Sequence, residues 1–334
     1  MATRAVADDI LAADFLLVAV GAGFSADSGL PVYNDIANVE AYKTMGVEYH
    51  DLCEPHWAHD NLAIFYGFWG DCFNMYRDTQ AHLGYEILRL WKQRLCAKNN
   101  DVLRPIMGQL AATQFAGHAL PRVTTDPFFV YTSNVDAHFA RYFAPNEIYE
   151  IHGNTETWQC AGADEATAPC EGTWQIPASF RFPVDELTMM CAVEPTPPFL
   201  QCPKCNAPAR PNVLMFGDRQ WLPNAMDERR YVLWEAAVEE ALRLDPTKRL
   251  VILEIGCGTR VPSVRKECAM VMDDILEKTH ASNHVQVRLV RINPDALDDD
   301  ESESTHPAML KVPSTGLAAL EAVAKYMTEM AASD

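Results

Sequence analysis

The feature that most constrains this chain is a glycine-rich turn placed directly after a short apolar run. Residues 15–20 are all hydrophobic, and residues 21–25 read Gly-Ala-Gly-Phe-Ser. A near-continuous hydrophobic run of this length is typical of a buried parallel strand. Glycines after such a strand allow a tight turn and the close approach of the backbone to a dinucleotide pyrophosphate. The next glycine, Gly29, comes later than in the Gly-x-Gly-x-x-Gly fingerprint, so this segment alone leaves nucleotide binding and a structural turn equally open.

Further strand-like runs follow at residues 128–132, 148–151, 250–255 and 285–292, with helical patterns between and after them. Strands that alternate with helices favour right-handed crossovers, so we predict an α/β fold with a Rossmann-like, doubly wound parallel sheet. Ligands of such sheets bind at the carboxyl ends of the strands. The glycine turn and the polar residues that follow runs 128–132 and 148–151 should therefore meet at one edge.

The composition changes twice along the chain. Residues 35–125 read mostly as helix, and residues 156–209 are irregular and rich in proline and cysteine. We therefore predict a discontinuous Rossmann-like domain of residues 1–34, 126–155 and 210–334. A helical insertion of residues 35–125 and a smaller metal-binding module of residues 156–209 are predicted to complete the protein.

Charge and apolar content exclude several classes of protein. The chain has 334 residues and a net charge of −19, which argues against direct nucleic-acid binding and fits either a cationic partner or simple solubility. No apolar run approaches the length of a membrane span, and the N-terminus lacks the apolar segment of a secretory signal. We predict a soluble intracellular protein, with cytoplasm, nucleus and mitochondrion all left open. Its ten cysteines are then predicted to be thiols.

Four of these cysteines are predicted to bind zinc. Cys202 and Cys205 have the Cys-x-x-Cys spacing that presents two thiolates to one tetrahedral ion, and Cys160 and Cys170 form a more widely spaced second pair. Four thiolates leave no position for a water ligand, so the zinc would be structural. A redox Cys202–Cys205 pair or four unrelated thiols are the alternatives, and Cys191 is a possible substitute ligand.

Polar residues follow two of the predicted strands. His152 comes after run 148–151, and an imidazole can accept a proton near neutral pH. Asn134 and Asp136 come after run 128–132, and an amide with a carboxylate can recognise a carboxamide. Each also has a structural alternative. A histidine at a strand end is commonly a packed or capping residue, and asparagine and aspartate are good helix caps.

Taken in order, four segments resemble the sirtuins, the family of NAD-dependent protein deacylases and ADP-ribosyl transferases. They are the glycine turn, residues 131–136 (Tyr-Thr-Ser-Asn-Val-Asp), residues 150–153 (Glu-Ile-His-Gly) and residues 202–218, which begin Cys-Pro-Lys-Cys and end Phe-Gly-Asp. The resemblance implies that His152 is the general base toward a ribose hydroxyl of NAD and that Asn134 and Asp136 belong to the nicotinamide pocket. It implies further NAD contacts by Gly21, Ala22, Gly23, Ser25, Pro31, Tyr33, Ser133, Gly256, Cys257, Gly258 and Asn293.

The chain departs from the sirtuin pattern at several of these positions. Ser133 replaces a glutamine, Tyr33 replaces a phenylalanine, and Asn34 replaces an arginine that organises NAD. Losing a cation beside a pyrophosphate should weaken charge-assisted contacts. Arg260 or Arg265, which follow the glycines of residues 256–258, are predicted to supply the missing charge.

The resemblance implies NAD-dependent removal of acetyl-type acyl groups from protein lysine, with nicotinamide and O-acyl-ADP-ribose as products. Its cofactors would be NAD and Zn²⁺, and its partner an acylated-lysine protein. One alternative is a protein ADP-ribosyltransferase or NAD hydrolase on the same fold. The other is a binding or structural protein whose catalytic site has degraded.

Overall fold

The computed structural model describes residues 2–32, 35–36, 38–98, 101–114, 116, 123–192, 196–279, 286–295 and 306–332. The helices are α1 (Ala2–Ala12), α2 (Ala22–Ala26), α3 (Glu40–Met45), α4 (Tyr49–Leu52), α5 (Trp57–Asp60), α6 (Leu62–Asp78), α7 (Leu83–Lys98), α8 (Leu103–Thr113), α9 (Ala225–Leu244), α10 (Ser263–Thr279) and α11 (Gly316–Ala331). The strands are β1 (Phe15–Val20), β2 (Phe128–Thr132), β3 (Ile148–Glu150), β4 (Gly153–Cys160), β5 (Thr173–Gln175), β6 (Val184–Asp185), β7 (Met190–Cys191), β8 (Ala209–Val213), β9 (Leu250–Ile255), β10 (Val287–Ile292) and β11 (Met309–Val312).

Six of these strands form one parallel sheet in the order β11-β10-β9-β1-β2-β3. Sequence order reverses at β1, which lies between β9 and β2, so the sheet is doubly wound. The predicted α/β fold class is therefore confirmed. The pairing also aligns the strand ends, because Val20 lies opposite both Thr132 and Ile255, and Thr132 lies opposite Glu150. The loops that follow these strands consequently meet at one edge.

Helices cover both faces of the sheet. Along β1, Leu16, Val18 and Val20 face a core with α1, α7 and α11, whereas Phe15, Leu17 and Ala19 face a core with α8, α9 and α10. This alternation follows from the two-residue period of a strand, and burial on both faces explains the continuous apolar run. The fold is a three-layer α/β/α sandwich.

A third core joins α3–α6 to the irregular region of the chain. The aromatic side chains of α6 pack against Trp158 of β4 and Phe182. The ring centroids of Tyr66 and Phe73 lie between 5.5 and 6.3 Å from those of Trp158 and Phe182. The antiparallel sheet β5-β4-β8 and the β6-β7 hairpin complete this part. Helices α7 and α8, although inside the predicted insertion, pack on the parallel sheet. The division into domains stays a prediction.

No helix among the described residues combines the length and apolarity that crossing a membrane requires.

Candidate functional site

A cavity of about 560 Å³ opens at the carboxyl edge of the sheet, where β1, β2 and β3 end and α4 and α6 approach. One end of it is polar and is formed by the loops after the strands. The other end is apolar and aromatic. The lining residues are Ala22, Ser25, Leu30, Pro31, Val32, Ile36, Tyr49, Cys53, Phe68, Trp69, Cys72, Tyr76, Ser133, Asn134, Val135, Asp136, His152, Val213, Leu214, Met215, Phe216, Gly217, Asp218, Arg219 and Val261.

At the polar end, three buried side chains form one hydrogen-bonded chain. The Ser25 hydroxyl donates to Asp136 Oδ2 at 2.5 Å and accepts from Asn134 Nδ2 at 2.9 Å. Each residue is at most 8 % exposed. The other carboxylate oxygen of Asp136 accepts from the backbone N–H of His138 at 2.8 Å. Asp136 thus also closes a local backbone turn, although the cap of the short 3₁₀ helix His138–Arg141 is Ala137. The same bonds fix the orientation of all three side chains.

His152 lies beside this chain of hydrogen bonds, in the turn between β3 and β4. Burial lowers the pKa of its ring below 6.5, and a hydrogen bond to the backbone of Ser133 partly opposes that effect. The Ser133 backbone thus favours the protonated ring, as a carbonyl oxygen that faces a ring N–H does. The imidazole is consequently neutral at pH 7, with its second nitrogen able to accept a proton.

The residue after His152 must be glycine. Gly153 has φ +70°, and a Cβ there would lie 1.8 Å from the carbonyl oxygen of Asn212. Gly153 pairs with Val213 at the start of the β4-β8 ladder. The tight approach of these two strands therefore sets where the His152 side chain stands.

Sequence reasoning missed Glu150, the last residue of β3. Burial, with smaller contributions from the charges of Asp136 and Asp227, raises the pKa of its carboxyl group to about 8, although a hydrogen bond from Asn154 opposes the rise. Glu150 therefore holds a proton at pH 7 close to the polar end of the cavity. Its raised pKa could not be read from one sequence, because it depends on burial and on the charges of Asp136 and Asp227, which come from other elements.

The apolar end consists of side chains from the helical region. Tyr49 lies on α4, Phe68 and Cys72 lie on α6, and Cys53 follows α4. Burial raises the pKa of the Cys53 thiol to about 12 and that of Cys72 well above its ordinary value. Both thiols are thus neutral and behave as apolar wall. This end suits an uncharged aliphatic group.

Residues 21–25, the first glycine loop, are in direct contact with residues 256–258, the second glycine loop. Gly23 N–H donates to the Gly256 carbonyl at 3.0 Å, and a Cβ on Gly256, whose φ is +65°, would lie 2.4 Å from the Phe24 nitrogen. Of the predicted NAD-binding residues, Ala22, Ser25, Pro31 and Ser133 line the cavity. Gly21, Gly256, Cys257, Gly258 and Asn293 lie in the loops at the same sheet edge, and Gly23 lies in α2; all six are outside the lining. Tyr33 and Asn34 lie outside the described residues.

Neither predicted substitute for the missing arginine lines the cavity. Arg265 is 4 % exposed, with its Nε 3.8 Å from Glu254, and Arg260 is exposed to solvent. The guanidinium among the described lining residues belongs to Arg219, in the turn after β8. Sequence reasoning gave it no role, because nothing in the motif signals where its side chain points.

The thiols of Cys160, Cys170, Cys202 and Cys205 meet, with all four sulfurs within 4.8 Å of one another. Tetrahedral zinc with 2.3 Å bonds separates its sulfur ligands by about 3.8 Å. Although burial alone would raise it, the pKa of Cys202 is lowered to about 7, chiefly by the backbone N–H groups of Lys204 and Cys205. The set fits a structural zinc ion. Cys191 lies in the β6-β7 hairpin and is outside this group.

Among solved structures, this chain is similar to sirtuins over its whole length, which defines its fold. A structure concerned with sirtuin substrate affinity aligns at a TM-score of 0.54 and 15 % identity, over 98 % of this chain and 99 % of that one. Sir2 with a p53 peptide and NAD⁺ aligns at 0.53 and 14 %, over 100 % of both chains. Sir2 with a deacetylated p53 peptide and 3′-O-acetyl ADP-ribose aligns at 0.52 and 15 %, over 98 % of both.

No family model matches the chain, and no curated protein matches it. The fold confirms the resemblance to the sirtuins that the motifs indicated. Its sequence has diverged far from those of the structures it resembles.

Proposed function

We propose that this protein removes acyl groups from protein lysine in a reaction that consumes NAD. The observation that carries the proposal is the meeting of His152 with the Ser25–Asn134–Asp136 chain in one cavity at the edge of a sirtuin-like sheet. Structures of the same fold hold NAD⁺ with a p53 peptide, an acetylated peptide, and a deacetylated peptide with an acetylated ADP-ribose. These neighbours supply the substrate class, and the cavity supplies the residues.

The roles of the residues follow from their chemistry. NAD, when bound, supplies a ribose carbon that can take the acyl oxygen as nicotinamide leaves. Asn134 and Asp136 present an amide and a carboxylate that can together recognise the carboxamide of nicotinamide. Neutral His152 accepts a proton from a ribose hydroxyl at its free ring nitrogen. The apolar end excludes water and holds the acyl group beside this centre.

Two further parts belong to the proposal. The four-cysteine cluster would hold one zinc ion that stabilises the β5-β4-β8 region, since all four ligand positions are filled by protein. The net charge of −19 favours a protein substrate with cationic residues near its acyl-lysine.

One observation favours a second candidate, transfer of ADP-ribose to protein or hydrolysis of NAD. Ser133 lines the cavity where sirtuins are expected to have a longer glutamine side chain. The extra space beside His152 could admit water or another nucleophile. A degraded binding protein is the third candidate, for which the same departures speak.

Nicotinamide release separates these candidates. The purified protein is incubated with NAD, with and without an acetyl-lysine peptide, and nicotinamide is quantified. Release that requires the peptide supports the deacylase. Release without peptide supports the transferase or hydrolase, and absence of release under both conditions leaves the binding protein.

A further inference from the structure

Three charged side chains are buried together beneath the second glycine loop. Glu254 of β9, Arg291 of β10 and Arg265 of α10 are 0 %, 1 % and 4 % exposed. Arg291 donates two hydrogen bonds to Glu254, at 2.7 and 3.0 Å, and Arg265 Nε lies 3.8 Å from the same carboxylate. Burying charges costs free energy even when they are paired, so stability alone does not explain this group. We expect it to fix the conformation of the backbone around it.

Arg265 connects this buried group to the loop above it. Its Nε donates to the carbonyl oxygen of Cys257 at 2.9 Å, and Asn293 Nδ2 donates to the same oxygen at 3.1 Å. In a trans peptide the N–H points opposite to the C=O. The N–H of Gly258 is therefore turned away from Arg265. A Cβ on Gly258 would meet no atom within 4 Å, so there is open space beside this residue.

The position of this peptide also affects the first glycine loop. Gly256 N–H donates to the Ile292 carbonyl at 2.9 Å, and its own carbonyl accepts from Gly23 at 3.0 Å. A Cβ on Gly23 would lie 2.8 Å from the Gly256 Cα, so the two loops are in direct contact. A shift of the Cys257 carbonyl would consequently displace the first glycine loop, from which Ala22 and Ser25 line the cavity.

We propose that Arg265 is a positioning residue for the dinucleotide. It holds the Cys257–Gly258 peptide with the N–H turned outward, in register with the first glycine loop, before the ligand arrives. Outward backbone N–H groups at a sheet edge recognise phosphate oxygens, and fixing them beforehand lowers the entropy cost of binding. Arg265 would thus offset part of the affinity that is lost where Asn34 replaces an arginine. It would do so from beneath the loop, without touching the ligand. This inference rests on the proposed NAD-dependent function.

The test compares two variants, each of which replaces one of the two arginines beside Glu254. Calorimetry measures the affinity of the whole protein for ADP-ribose, and thermal unfolding is followed in parallel. Arg265→Met should weaken ADP-ribose binding about tenfold, because it loses one charge-assisted hydrogen bond to the loop. Arg291→Met removes a partner of the same carboxylate from the neighbouring strand and should leave the affinity within about threefold at a comparable loss of Tm.

Equal loss of affinity in both variants, or native affinity in Arg265→Met, overturns the positioning role. If Arg265→Met does not fold, Arg265→Lys is tested instead. Lysine keeps the positive charge beside Glu254, but its one ammonium group has to serve both Glu254 and the Cys257 carbonyl. That variant should still bind ADP-ribose several-fold more weakly, and native affinity would contradict the proposal. Wild-type protein that binds no ADP-ribose overturns the NAD-dependent function together with this inference, whereas tight wild-type binding with an unaffected Arg265 variant overturns the inference alone.

Discussion

At the scale of single residues, the account depends on His152 as a proton acceptor. His152→Ala should reduce deacylation by about a hundredfold or more, because removal of a general base costs on this order. Its Tm should change little, since the side chain lines a cavity. Steady-state kinetics on an acetyl-lysine peptide measure the first effect and calorimetry the second. His56→Ala, a histidine outside the cavity lining, is the control and should keep native turnover.

The pKa of His152 also sets the lower pH limit of activity. A general base acts in its neutral form, and burial lowers the pKa of this ring below 6.5. The acid limb of the rate should therefore be centred below pH 6.5. A profile of kcat/KM against pH reports this pKa in the free enzyme. An acid limb centred above pH 7 would assign the proton transfer to another group.

At the scale of elements, the contact between α9 and α10 makes stability depend on pH. Burial, with smaller contributions from the charges of Glu267 and Glu239, raises the pKa of Glu235 to about 8. The folded state then holds this proton where the unfolded chain, with a pKa near 4.5, releases it. Between these values the folded state binds more protons, so this group's contribution to stability falls as the pH rises.

Glu235→Gln mimics the protonated side chain and should remove this penalty. Its Tm relative to wild type should rise steadily from pH 5 to pH 8, as measured by calorimetry in matched buffers. Glu240→Gln on the same helix is the control. A hydrogen bond from Arg243 lowers the pKa of Glu240, so its substitution should bring no gain with pH. A Tm difference for Glu235→Gln that is independent of pH would contradict the expectation.

The irregular region at residues 156–209 depends on its cysteine cluster. Cys202→Ala should abolish zinc binding and lower the Tm, because the free energy of binding a structural zinc contributes directly to folding. Cys191→Ala is a matched control, since Cys191 is buried in the same region but lies outside the cluster. Elemental analysis of protein purified without chelators should find one zinc per chain in the control and none in the variant. Wild-type protein without zinc would refute the assignment.

At the scale of the whole molecule, the sheet and the meeting of its loops followed from the sequence. Continuous apolar runs such as Phe15–Val20 mark strands buried on both faces, and parallel pairing then brings their ends together. The predicted run 285–292 corresponds to β10, which begins at Val287, and Val285 lies outside the described residues. Strand β11 was missed because its four residues include a lysine. Short, half-buried edge strands carry little signal.

What the sequence could not predict are contacts between charged residues distant in the chain. Glu254, Arg265 and Arg291 look like ordinary polar positions until the sheet places them together under a loop. The raised pKa of Glu150 likewise depends on burial by other segments. The compensation at Asn34 by Arg260 or Arg265 stays a prediction, because Arg260 is exposed, Arg265 is buried under the loop, and neither lines the cavity. Tyr33 and Asn34 themselves stay predictions.

The central claim is that the cavity joins an acyl group to ADP-ribose. The most direct measurement is mass spectrometry of the products after NAD is incubated with a peptide whose lysine carries an isotopically labelled acetyl group. The proposed reaction gives free lysine peptide, nicotinamide and ADP-ribose that carries the labelled acetyl group, and all three should be lost together in His152→Ala. Peptide that gains the mass of ADP-ribose, or unlabelled ADP-ribose beside intact acetyl-lysine peptide, would contradict it.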